Sequence, residues 1–370
     1  MHCLLIGGGV IGLSLARVLA GEGVQVTVLD RGPLGREASW AGAGILPPSS
    51  NLPGAHPFER LRTLANQLHP QWAAELQEET GLDNGFRRSG GIYLARSVGE
   101  AASLKGLQGV FADEHIEVES LTPDAAAQLE PVLRPLVDAG QLRAAFLLPG
   151  ETQIRNPVHL QALIASCQLR GVELRPHVEA LNFDIYGDRI QAVETSAGRM
   201  EVDLVCLTAG AWSQQLLQQL GARTSILPIR GQMILYRLPQ RAFTHVLNEG
   251  PRYLTPRDDG RVLAGSTEEE AGFDKSNTAE GVADLRAFAE TIVPALREAV
   301  IEKTWAGLRP AVFDGFPYMG PIPRLTNAFA SAGHYRSGLH LSPAVSMELA
   351  SLILGRPTQV ELSTFQVARG

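Results

Sequence analysis

The sequence predicts a two-part α/β chain. One part is wound around a βαβ unit, and the second is an α+β part built on an antiparallel sheet. Two observations carry this. The first thirty residues alternate a short apolar run, a glycine cluster, an amphipathic stretch and a second apolar run. From residue 226 to 319 the pattern shifts to Pro, Gly and alternating apolar residues, with a return to helical periodicity after Gly333. A chain of 370 residues with 45% apolar content is long enough for two such units.

In chain order, His2 to Ile6 reads as a buried strand. Ile11, Leu15, Val18 and Leu19 mark one face of a helix. That helix ends at Gly21-Glu22-Gly23, and Val24 to Leu29 forms a second buried strand closed by Asp30. Residues 58–80 read as a helix, with Leu61, Leu64, Leu68, Trp72 and Leu76 at helical spacing. Residues 90–96 read as a strand. Residues 157–170 read as a helix capped by Asn156 with Pro157 at its first position. Residues 202–208 form another buried strand. Within 226–319 the runs at Met233–Tyr236, Tyr253–Thr255 and Arg261–Ala264 predict antiparallel strands, and 282–299 a helix between them. Val345, Leu349, Leu352 and Ile353 mark a last helix.

Gly7-Gly8-Gly9-Val10-Ile11-Gly12 fits G-x-G-x-x-G directly between strand and helix, the Rossmann-like dinucleotide fingerprint. Gly7 permits the tight turn, Gly9 lets the backbone approach a pyrophosphate, and Gly12 lets helix and strand pack closely. The helix N-terminus then offers unpaired N–H groups and a positive dipole end to the phosphates. Asp30, eighteen positions after Gly12, stands where a carboxylate accepts from ribose hydroxyls. The fingerprint alone does not separate NAD from FAD.

A net charge of −7 argues against nucleic acid or an anionic membrane as the main partner. Cys3, Cys167 and Cys206 match no metal spacing and read as buried free thiols, consistent with a reducing compartment. No apolar run reaches a membrane span, and the N-terminus lacks a basic region and cleavage site. A cytoplasmic protein is expected, and no metal is predicted.

The residues after Asp30 carry a resemblance. Arg36-Glu37-Ala38-Ser39-Trp40-Ala41-Gly42-Ala43-Gly44-Ile45-Leu46 closely resembles the flavin-contacting loop of the glycine oxidases of the thiamine pathway, in the D-amino-acid oxidase superfamily. The likeness spans the chain. It recurs at Arg88–Gly91, Thr208–Trp212, Pro228–Gln232 and Arg252–Arg257, and most closely at Trp305–Pro310, Asp314–Pro317 and Ala332–Gly338. The resemblance implies a discontinuous FAD domain (1–80, 151–225 and 320–370) and a substrate domain (81–150 and 226–319). It implies non-covalent FAD, and no cysteine falls in a flavin-ring motif.

It also implies a reaction and a site. A hydride passes from the Cα of glycine, sarcosine or a small D-amino acid to flavin N5, and dioxygen returns hydrogen peroxide. Arg309 is implied to hold the substrate carboxylate, since a guanidinium donates two parallel bonds to it. Tyr253 is implied to donate to the same carboxylate, and Arg336 to lie near substrate and flavin. Implied cofactor contacts are Gly7, Gly9, Val10, Ile11, Gly12, Asp30 and Arg31 at the nucleotide end. Others are Ser39, Trp40, Ala41, Gly44 and Ile45 in the loop, and Val178, Ala209, Gly210 and Trp212 along the strands. Gly307, His334, Arg336, Ser337, Gly338 and Leu339 complete the set at the ring.

Each assignment has a structural alternative. Arg309 sits in an apolar run and also suits a buried ion pair, Tyr253 suits a strand core, and Arg336 suits a structural role. Two positions depart from the family. Glu268 stands where some members carry an apolar residue, and Pro251 where some carry a polar ring. A related dehydrogenase passing electrons to a quinone or carrier stays open, as do a flavin-binding module without turnover and an NAD enzyme. The sequence leaves oligomeric state open, a homo-oligomer included.

Overall fold

The computed structural model describes residues 1–50, 52 and 54–369. His2–Ile6, every residue after the first buried, pairs in parallel with Gln25–Asp30 on one side and Leu204–Leu207 on the other. The sheet has six strands, in the order Tyr318–Pro321, Ala328–Ala332, Leu204–Leu207, His2–Ile6, Gln25–Asp30, Glu173–Pro176. All pair in parallel except the edge strand Tyr318–Pro321. Chain order therefore reverses at His2–Ile6. In open α/β sheets the ligand crevice lies outside the carboxyl ends of the strands at that switch point.

The helix Val10–Gly21 packs against Gly338–Ile353 and Asn156–Leu169, and the long helix Pro57–Thr80 joins them. Their shared core contains Leu13, Leu15, Leu19, Leu61, Trp72, Leu163 and Val345, all buried. Burying each such aliphatic side chain contributes roughly 1.5–3 kcal/mol.

A second, eight-stranded sheet runs in the order Val300–Val312, Ile226–Arg237, Arg261–Gly265, Arg252–Pro256, Val246–Glu249, Gly91–Ala95, Ala144–Leu148, Glu119–Leu121. It is antiparallel except between Val246–Glu249 and Gly91–Ala95. Its own core, with Ile92, Ile234, Leu254, Phe288 and Ile292, is separate from the first. The architecture is thus an α/β Rossmann-like domain with a second α+β domain on an antiparallel sheet.

Three details differ from the sequence reading. The helix expected over 282–299 spans Ala279–Ile292, because Pro294 opens a short 3-10 turn and Val300 starts a 13-residue strand. Asn156 is not a cap. It is the first helical residue after Arg155, and its amide donates to the Ser39 carbonyl at 2.8 Å instead. An antiparallel ribbon of Ala180–Tyr186, Arg189–Thr195 and Gly198–Glu201 was not anticipated, because its strands are short and half exposed. All three cysteines are free and buried, as expected. Among the described residues no helix is long and apolar enough to cross a membrane.

Candidate functional site

A cleft of about 670 Å³ runs from the carboxyl ends of the parallel strands to the face of the antiparallel sheet. Its nucleotide end is built on backbone. Gly7 adopts φ +115, and a Cβ there would lie 2.4 Å from the Thr208 carbonyl oxygen. At Gly12 a Cβ would lie 2.0 Å from the Gly7 carbonyl oxygen, so only glycine lets the helix seat on the strand. The helix starts at Val10 with Gly9 as cap, and Gly9 has no side chain to satisfy the first N–H groups. Val10 N–H donates to Ser39 Oγ at 2.9 Å; no acid occupies the first turn. That terminus is left positive and open.

Asp30 accepts from Gly8 N–H and Gly32 N–H, both at 2.9 Å. Burial holds its carboxyl above the usual aspartate range, against these two bonds. Arg31 lies 3.8 Å over the Trp212 ring, and the Phe273 ring is tilted against Trp212 with centroids 5.4 Å apart. Lys275 pairs with Glu37 at 2.8 Å, tying the 270–276 loop to the segment after Asp30.

The helix Gly338–Ile353 gives a second open N-terminus on the same cleft. Its cap, Ser337, makes no side-chain capping bond, and Ser337, Gly338 and Leu339 line the wall. His334 is buried beside it, with Nε2 3.3 Å from Ser331 Oγ. Desolvation lowers its pKa to about 4, so it is neutral.

At the far end stands Arg309, on the strand Val300–Val312. Its Nη2 donates to Ser266 Oγ at 2.6 Å and its Nη1 to the Thr267 carbonyl at 3.2 Å. The guanidinium lies over Gly231, where a Cβ would come within 2.2 Å of it. Burial pushes its pKa down from the usual arginine value. No carboxylate among the described residues pairs with it, which removes the structural ion pair as its reason. Glu268, an acid whose charge acts on it, is bonded at 2.7 Å to Arg336. Tyr253 lies on the same wall, its hydroxyl 3.5 Å from Met233 Sδ.

The structure brings together every expected site residue except two. Gly12 lies beneath the wall rather than on it. Trp40 is also off the wall. It packs edge-on against Trp305 at 5.1 Å with Lys303 over its ring, because Ala38 and Ala41 face the cleft from that one turn of helix. Arg336 reaches the wall but is exposed and already paired. Sequence reading missed Tyr93, Asn248, Asn156 and Met233, all on the wall. The run 90–96 was legible as a strand, but nothing local marks which of its faces meets a cleft.

An FAD fits these residues. Two helix N-termini with unsatisfied N–H groups open on one cleft. Gly307 carries no Cβ where one would meet Ala41 at 2.4 Å, so loop and sheet close together there. Asn156 Oδ1 is buried on the wall without a partner. A family model described as FAD dependent oxidoreductase matches residues 2–352.

The chain belongs to the FAD-dependent oxidoreductase family.

Its cofactor is FAD, and it is an oxidoreductase of the amino-acid oxidase kind. It is 36% identical to the glycine oxidase of Pseudomonas aeruginosa over 99% of this chain and 98% of that protein. The crystal structure of glycine oxidase from Geobacillus kaustophilus superposes with a TM-score of 0.93 at 31% identity, covering 100% of this chain and 98% of that one. The bifunctional protein ThiO/ThiG of Trichormus variabilis is 29% identical over 99% of this chain, which covers 54% of that longer protein.

Proposed function

We propose that this flavoenzyme oxidises glycine and other small amines such as sarcosine and small D-amino acids, with dioxygen as acceptor, in the cytoplasm. The observation that carries the reading is Arg309: a largely buried guanidinium on the cleft wall that bonds neutral groups and, among the described residues, pairs with no carboxylate. A buried cation without a counter-charge is costly unless a ligand supplies one. A substrate carboxylate meets that need with two parallel N–H donors.

Tyr253 adds a hydroxyl donor to the same carboxylate. Arg336 and Glu268 close the outer side as a neutral pair. When bound, the FAD supplies a hydride acceptor at N5 for the substrate Cα–H and passes the electron pair to dioxygen, giving hydrogen peroxide and an imine that yields glyoxylate and ammonia. The chain's own part is to fix the carboxylate and thereby aim the Cα–H, which removes several kcal/mol of orientational cost. The open N-terminus of Gly338–Ile353 on the cleft would offer its positive dipole end to the FAD and stabilise negative charge there. At the other end the open N-terminus at Val10 would hold the pyrophosphate, and Asp30 the ribose. On this reading residues 1–80, 151–225 and 320–370 form the FAD domain and 81–150 with 226–319 the substrate domain. The likeness to a ThiO/ThiG protein supports a place in thiamine thiazole synthesis.

The test is direct. Purified holoprotein mixed anaerobically with glycine is expected to lose its flavin absorbance, and to release peroxide once air is admitted. A flavin that no small amine bleaches overturns the proposal.

A further inference from the structure

The far wall carries a group that the proposed chemistry leaves unused. Glu151 is fully buried. It accepts from the Tyr93 hydroxyl at 2.8 Å and from Asn248 Nδ2 at 3.2 Å. Among the described residues no cation pairs with it. Room for its carboxyl is made by Gly91, where a Cβ would lie 2.0 Å from Oε1. A buried carboxylate without a cation costs stability, which points to a use elsewhere.

Strand register locates that use. Tyr93 pairs with Asn248, and Asn248 pairs with Tyr253. The three therefore share one face on successive strands, about 4.8 Å apart in the hydrogen-bonding direction. Tyr93 and Asn248 both line the cleft. Immediately after Glu151, Thr152–Gln153 pairs with Ile45–Leu46, the end of the flavin loop. Tyr93 thus lines the cleft between that loop and Arg309, with Glu151 buried behind it. Stacking on Phe146 at 4.8 Å fixes the Tyr93 ring.

The hydroxyl has one hydrogen, and Glu151 takes it. Toward the cleft the Tyr93 oxygen has acceptor capacity only. Arg62, the cation acting on Tyr93, is already bonded to Glu59 at 2.8 Å. Among the described residues Arg309 on the wall has no carboxylate partner, and Glu151, just behind Tyr93 and Asn248 of the wall, has no cation partner, the complement of a zwitterion.

We propose that Tyr93, backed by Glu151 and Asn248, receives the ammonium group of the substrate and takes its proton. The assignment rests on the amino-acid oxidase reading above. The substrate N–H bond breaks as a Tyr93 O–H bond forms, and the original Tyr93 proton passes to Glu151 Oε2. One proton moves from ammonium to buried carboxylate. The nitrogen regains the lone pair that must form the C=N bond when the Cα–H leaves. Burial pushes the Glu151 carboxyl up to about 7, which suits a proton acceptor working near neutral pH.

The test compares FAD-loaded wild type, Tyr93→Phe and Glu151→Gln. For wild type, kcat/KM with glycine should rise through about pH 7, the range in which Glu151 ionises. The rise should vanish in Glu151→Gln, and both variants should fall at least roughly tenfold at pH 8, the scale of a lost hydrogen bond to a charged group. Affinity for acetate, a carboxylate without an amine, read from the flavin absorbance change, should stay as in wild type. Variants that keep the rising limb, or that lose acetate and glycine equally, overturn the assignment. Should Glu151→Gln fail to fold, Tyr93→Phe keeps the stacked ring and decides alone. A wild type whose flavin no small amine reduces overturns the oxidase reading and this assignment together. A working wild type with unchanged variants overturns the assignment only.

Discussion

At the nucleotide end of the cleft the contacts come from backbone, and at the far end from side chains. Gly7, Gly9 and Gly12, the N-terminus at Val10 and the two N–H groups on Asp30 fall within thirty-two residues of chain. Tyr93, Asn248, Tyr253 and Arg309 come from four strands of the antiparallel sheet, spread over more than two hundred residues. The first end must fit a fixed cofactor and is stiff because a Cβ has no place in it. The second must fit a substrate, and its properties lie in unmatched charges that single substitutions remove. The cost of change should therefore differ in kind, with loss of cofactor at one end and loss of substrate recognition at the other.

The strongest break is expected at Gly12. Gly12→Val drives a side chain into the Gly7 carbonyl. It should give a colourless protein with FAD affinity reduced roughly 100-fold, about 2.7 kcal/mol, measured by flavin fluorescence on titration. A yellow Gly12→Val protein would remove the close packing from the account of the cofactor site. Arg309→Ala should do the converse. Flavin content stays full while KM for glycine rises roughly 10- to 150-fold, the range of charge-assisted hydrogen bonds. Steady-state kinetics beside an absorbance spectrum separates the two; an unchanged KM takes Arg309 out of the substrate site.

Acid should attack the ground between the two ends. His69, His159 and His340 are buried where the helices Pro57–Thr80, Asn156–Leu169 and Gly338–Ile353 meet. Desolvation lowers His69 to about 4 and His159 to about 3, and holds His340 well below 6.5. Folded values below the unfolded one mean that the unfolded chain binds more protons. The stabilisation is complete above about pH 6.5 and is lost as pH falls toward the folded values, by roughly 1.4 kcal/mol per group per pH unit. Tm should drop steeply between pH 7 and 5, with flavin release. A flat Tm over that range would show that these rings take up protons as readily in the folded protein as in the unfolded chain. Smallest of all, Glu268→Met removes an exposed ion pair worth about 0–1 kcal/mol. KM for glycine should move by less than about fivefold, while amines with a second carboxylate should bind better to the freed Arg336. No gain in a binding series of such amines would place Arg336 outside substrate reach.

The same contrast explains what was readable in advance. Gly7 to Gly12 and Asp30 announced their places in the fold because turn, helix start and strand end are set by neighbours in sequence. Arg309 and Tyr253 were found through motif likeness, not through any local pattern. Trp40 lies off the cleft wall, and which side of a four-residue helix faces the cleft is not written in its local sequence. Glu151 gave no signal, since an acid after Leu147-Leu148-Pro149-Gly150 reads as an ordinary turn residue.

The sequence by itself determined the βαβ unit, the glycine turn at the helix start and the change to an antiparallel sheet, because period and glycine placement are local constraints on φ, ψ and burial. Tertiary structure alone decided that Arg309 has no carboxylate partner among the described residues, that Arg336 has one, and that Tyr93, Asn248 and Tyr253 stand in a row above a buried Glu151. Register between strands and the absence of a counter-charge are relations between distant segments, and no single stretch of chain encodes them.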